Sequence, residues 1–174
     1  MSSPRIETPL VSEQQPRYGN DNVMPLLQEV LRAKLTSINQ SFVHAKVCEK
    51  WGYRGLANRA RQHSMIEMRH AEACIERILF LDGYPEMAEL FAIRPGASVQ
   101  AQLENDLDLE LEAIPRLKRA IKATTLVDDA SSCEVFEKIL ADEERRVDWL
   151  EAQLFMIQQM GYDNYVSQLV HSEA

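Results

Sequence analysis

Three carboxylates, two histidines and two strong bases interrupt the apolar stripes of this 174-residue chain: Glu67, Glu110, Glu143, His63, His70, Lys34 and Arg146. Glu67-x-x-His70 puts a carboxylate and an imidazole on one face of a helix, because residues three and four apart are neighbours there. Such groups bind transition metals, and a four-helix bundle builds a di-iron site from one Glu on each of two helices and Glu-x-x-His on each of the others. The chain keeps Glu67-x-x-His70 and Glu110, but Lys34 stands where the second lone glutamate belongs, and the second motif reads Glu143-x-x-Arg146. An ammonium and a guanidinium have no free lone pair for a cation. Buried charges must find partners, so Lys34 and Arg146 are expected to pair with the three carboxylates and do electrostatically what metal ions would do. Two other arrangements stay open: a single ion on Glu67, His70 and His63, or a cation that snorkels to solvent.

These groups need four elements to bring them to one level. Apolar residues recur at helical spacing in four long segments, from about Val23 to Trp51, Leu56 to Leu81, Val99 to Thr124 and Cys133 to Met160. Asn22 is the expected cap of the first, with Pro25 tolerated in its first turn, and Gly161 is a stop for the fourth. Asn164–Ser172 suits a short fifth helix. Short links around Gly52 and Gly55, and around Asp128, make two antiparallel hairpins. The link Asp82–Ser98 is long: about 15 extended residues reach roughly 50 Å, against roughly 39 Å for a helix of about 26 residues. It can cross the bundle and leave the middle helices parallel, so the expected fold is all-α, a ferritin-like four-helix bundle with a long crossover and a short C-terminal helix. Pro115, inside the third helix, removes a hydrogen bond and should kink it.

The bulk properties narrow the partners. The formal net charge is −8, from 27 acidic and 19 basic side chains, which argues against nucleic acid and suits a surface that attracts cations. Residues 1–21 are polar, hold Pro4, Pro9, Pro16 and Gly19, and read as a flexible tail, neither secretory signal nor membrane span; residues 22–174 form the domain. Cys48, Cys74 and Cys133 are scattered without a CxxC pair, so a reducing, cytoplasmic setting is expected.

The stretches SINQSFVHA, MIEMRHAEACIERILFLDG, LDLELE, DEERRVDWLE and MGYDNY resemble bacterioferritin, and the likeness runs from Val23 onward. The resemblance implies a shell of two dozen subunits that stores ferric mineral. Family ferroxidase positions fall on Lys34, Glu67, His70, Glu110, Glu143 and Arg146, four of which keep the family residue; the two departures imply that this subunit does not oxidise ferrous iron quickly. Gln62 and Ile66 fall where some members keep metal-binding residues facing the cavity. Met68 corresponds to the methionine that, with its two-fold mate, ligates one haem b between subunits, with Leu35, Asn39 and Phe42 walling the pocket; Arg61 and Ile66 depart from the family there. A division of labour follows from the resemblance: a homo- or hetero-oligomeric shell, with a ferroxidase-active subunit as partner and an electron donor to the haem. The rival readings are an active ferroxidase with an unusual, perhaps mononuclear, iron site, and a structural protein with neither metal nor haem.

Overall fold

A computed structural model describes residues 22–171, and within them five helices follow one another without a strand: α1 (Met24–Trp51), α2 (Arg54–Phe80), α3 (Val99–Leu126), α4 (Ala130–Met160) and α5 (Tyr162–His171). The expected N-terminal tail and Ser172 lie outside the described residues. Val23, not Asn22, is the N-cap of α1, and no side chain caps it. The amides of Leu26 and Leu27 turn back instead to the Val23 carbonyl, both at 3.1 Å, and Pro25 needs no amide partner in this turn. Gly52, at φ 88°, takes the left-handed conformation that ends α1 and lets α2 fold straight back. Ser98 caps α3 by accepting from the Ala101 amide at 3.1 Å, and Asp129 caps α4 by accepting from the Ser132 amide at 3.0 Å.

α3 runs unbroken through Pro115. The proline lies on the exposed face, and the carbonyl it leaves without a partner belongs to Leu111, itself about half exposed. The lost bond therefore falls on the solvent side, away from the core.

Two apolar clusters close the ends of the bundle. At one end Leu27, Leu31, Cys74, Ile78, Leu117, Phe136 and Ile139 meet. At the other, Leu56, Val99, Leu103, Leu150 and Ile157 meet, with Tyr165 of α5 against them. The start of α2 and the start of α3 thus share one end, and the two helices run parallel, as the long crossover requires. That crossover, residues 82–98, climbs beside α1. The amides of Phe91, Arg94 and Gly96 donate in turn to Thr36 Oγ1, Gln40 Oε1 and His44 Nε2, at 2.9, 3.0 and 3.4 Å. Gly96 has no room for a side chain, since a Cβ there would lie 2.3 Å from the Gln102 amide nitrogen. Between the two apolar ends, every helix of the bundle contributes buried polar groups.

Candidate metal centre and the charges that fill it

Lys34 sits at the middle of the bundle with 1% of its surface exposed. Its ammonium lies 2.8 Å from Glu67 Oε2 and also contacts Glu143 Oε1. Helix α1 thereby inserts a cation between carboxylates of α2 and α4. Burial works against that charge, but Glu143, Glu67 and Glu110 outweigh it and hold the ammonium well above its ordinary value. Burial likewise favours a neutral Glu67, yet Lys34, His70 and His63 hold its carboxyl far below the usual range. The outcome differs at Glu143: burial drives it strongly toward the protonated form, and the nearby charges of Glu110 and Glu67 add to that against the pull of Lys34. Glu110 also is pushed up, by burial first. One firm ion pair, Lys34 with Glu67, therefore anchors a set in which the other two carboxyls lean toward neutrality.

The histidines of α2 part company. His70 Nδ1 lies 3.0 Å from Glu67 Oε1, and its Nε2 lies 2.8 Å from Asp142 Oδ2. Burial lowers its affinity for a proton, but the bond to Glu67 and its charge win and raise it. His63 instead faces Glu110, with Nε2 3.0 Å from Oε1. It is pushed down to about 4 by burial and by the neighbouring Arg146, so its ring is neutral at pH 7.

Arg146 was expected among the same carboxylates, but its ion pair is with Asp106, Nη2 to Oδ2 at 3.3 Å. The guanidinium is only 7% exposed and lies over the Trp149 ring, 4.7 Å from its centroid. Asp106 also lies 2.9 Å from Gln40 Nε2 and 2.9 Å from His44 Nδ1. Against burial, His44 and Arg146 hold its carboxyl below the ordinary value. The polar core thus has two adjoining levels, Lys34–Glu67–Glu143–His70 and Arg146–Asp106–His44–Gln40.

Asp106 and Asp142 were not among the sequence candidates. Asp106 carried a signal, standing at i−4 from Glu110 in the stripe Leu103, Asp106, Glu110. Asp142 carried none, because it lies beside the stripe and reaches His70 from a third-exposed position. Among the described residues, the atoms that come close enough to share one ion belong to Glu67, His70 and Glu143, all within 4.8 Å of one another. His63 is not in that group, and the Lys34 ammonium touches two of its three members.

On the opposite side of α2 the residues are soft and open. Met68 is 48% exposed, and Met65 and Phe42 are exposed as well. Asn39 is exposed too and donates to the Leu35 carbonyl, while Leu35 is half-buried. Leu35, Asn39 and Phe42 repeat along one stripe of α1, and Arg61, Met65 and Met68 along one stripe of α2. The two helices are joined behind them, where Ser64 Oγ donates to the Ile38 carbonyl.

The Ferritin-like domain family matches residues 25–160, from the first turn of α1 to the end of α4. With the parallel middle helices and mid-bundle carboxylates, this makes the chain a ferritin-like protein. The bacterioferritin of Mycolicibacterium paratuberculosis is 43% identical over 152 residues, covering 87% of this chain and 96% of the relative. That of Streptomyces coelicolor is 45% identical over the same length, covering 87% and 91%. That of Brucella melitensis is 34% identical over 147 residues, covering 84% and 91%. Within the ferritin-like proteins, the chain belongs to the bacterioferritin family.

Proposed function

We propose that this chain is an iron-storage shell subunit of bacterioferritin type that binds haem b at a two-fold interface, does not oxidise ferrous iron quickly on its own, and shares a cytoplasmic shell of two dozen subunits with a ferroxidase-active subunit. Iron storage and an oligomeric shell go with the family. No helix of the described residues is long and apolar enough to cross a membrane.

The observation that carries the oxidation claim is the position of the Lys34 ammonium between Glu67 and Glu143. Two of the groups a di-iron pair would need are cations that cannot ligate it, and a third, Glu143, leans toward its protonated form. The donor set does not fit a di-iron centre. Ferrous iron offered to this subunit meets a core whose carboxylates are already compensated. The test follows ferric absorbance after aerobic addition of ferrous iron, comparing the wild type with a Lys34→Glu, Arg146→His double variant. The double variant should start several-fold faster; equal initial rates overturn the reading.

The residues on the outer face fit a haem. A thioether is a suitable ligand for haem iron, Met68 presents one to the surface, and Met65 and Phe42 are further exposed apolar side chains of the two helices. Met68 would ligate the iron together with the same residue of a second copy, and Leu35, Asn39 and Phe42 would hold the ring edge. Bound there, a haem would supply one-electron transfer.

The rival reading, a ferroxidase with a single iron, draws on the closeness of Glu67, His70 and Glu143. It requires Lys34 to leave its two partners. Stoichiometric ferrous binding that disappears in His70→Ala would favour it.

A further inference from the structure

A cavity of about 180 Å³ opens on one side of the polar core, and three arginines, Arg59, Arg145 and Arg146, stand in its wall with Gln62 and His63. The two carboxylates in that wall are already engaged: Glu67 by Lys34 and His70, and Asp142 by His70 and Arg145. Arg146 is more than nine-tenths buried, yet only its Nη2 has a partner; Nε and Nη1 are buried with no hydrogen-bond partner among the described residues. Buried donors of a charged group are costly to leave unmatched.

Arg59 makes the problem sharper. Its guanidinium lies over the same indole as that of Arg146, 5.0 Å from the Trp149 ring centroid, and it makes no ion pair among the described residues. Two like charges are therefore gathered on one aromatic ring beside an open space, one of them with buried, unmatched donors. Burial first, and the Arg59 charge in addition, loosen the hold of Arg146 on its proton, against the support of Asp106. A small anion in the cavity would offset that repulsion, and a small turn of the Arg146 side chain would bring its unmatched N–H groups to it, since a guanidinium presents its N–H groups in a planar fork matched to oxyanions.

We infer that this cavity is a binding site for a small tetrahedral oxyanion of the phosphate or sulfate class, held by Arg146 and Arg59 with Arg145 at the rim. The site is separate from haem binding, and it does not depend on whether the subunit oxidises iron.

The test is calorimetric titration of inorganic phosphate into the full-length assembled protein, expressed without added iron, in a Tris chloride buffer. Saturable binding near one phosphate per chain is expected. Affinity should fall at least tenfold in Arg59→Gln, an exposed position whose replacement leaves the core intact. It should be unchanged in Arg54→Gln, an exposed arginine of the same helix that does not line the cavity. Sulfate titrated in the same way shows which anion of the class is preferred. Failure of both anions to saturate, or equal phosphate affinity in Arg59→Gln and the wild type, overturns the inference. Neither result bears on ferric absorbance or the haem spectrum.

Discussion

Glu67 and Met68 are consecutive on α2 and face opposite worlds. Glu67 is fully buried, and it interacts with charges from all four long helices, whereas Met68 is half exposed. On the buried side no group can change by itself. A lysine on α1 is tolerable because carboxylates on α2 and α4 meet it, and an arginine on α4 because α3 supplies Asp106. On the open side a residue can change without re-pairing anything. The difference teaches why one face of a helix can be altered while the other is kept: α2 is two surfaces whose chemistry is coupled only through the backbone.

The largest effect should come from breaking the buried pairing. Lys34→Met leaves Glu67 without its counter-ion and should destabilise the protein by about 3–5 kcal/mol in chemical denaturation. Adding Glu67→Gln and Glu143→Gln to that variant should restore most of the loss, because the carboxylates that Lys34 compensates are then gone. A single variant as stable as the wild type would break the contrast between the two faces.

The next effect depends on pH. His63 is held neutral, pushed down to about 4 from its ordinary 6.5. The unfolded chain takes up that proton first, so the stability His63 contributes is complete above pH 6.5 and drains away as pH falls toward 4. The window is worth roughly 3 kcal/mol. His70 works in the other sense: its raised value means a contribution complete below pH 6.5 and lost as pH rises through the folded value. The advantage of the wild type over His63→Gln should therefore shrink steadily between pH 7 and pH 4.5; an advantage constant with pH contradicts the assignment.

Smaller still is Asp106→Asn, which keeps the shape but removes the charge facing Arg146 and His44. About 2 kcal/mol is expected, read from the same denaturation midpoints. The smallest stability effect belongs to the open face. Met68→Leu conserves volume and should cost under about 1 kcal/mol, while the absorption band of the proposed haem should disappear. A band of full intensity in that variant removes Met68 from the ligand set.

Much of this molecule was legible before its structure. The bundle, the two hairpins and the parallel middle helices follow from apolar spacing and from one long link among short ones. The helix starts were less legible: Leu56 and Cys133 marked the first strongly patterned residues, but α2 begins at Arg54 and α4 at Ala130, since the first turn of a helix need not touch the core. In the polar core, Lys34 was readable because it breaks a stripe. The partner of Arg146 was not, because spacing says which residues share a face and not which direction a long guanidinium takes along the bundle. Asp142 was invisible for a related reason, being a neighbour of the core rather than part of it. The cavity beside Arg59 depends on how two arginines share one indole, and no spacing rule reports that.

The crossover has a consequence of its own. Thr36, Gln40 and His44 are spaced by four along α1, about 6 Å apart, and each accepts one amide from the passing strand-like segment, at Phe91, Arg94 and Gly96. Helix α1 acts as a ruler: a slip of one residue in the crossover would misplace all three amides together. Segments without regular secondary structure usually exchange their amide hydrogens quickly, but these three should stand out as slow points, a row of rivets along an otherwise loose seam.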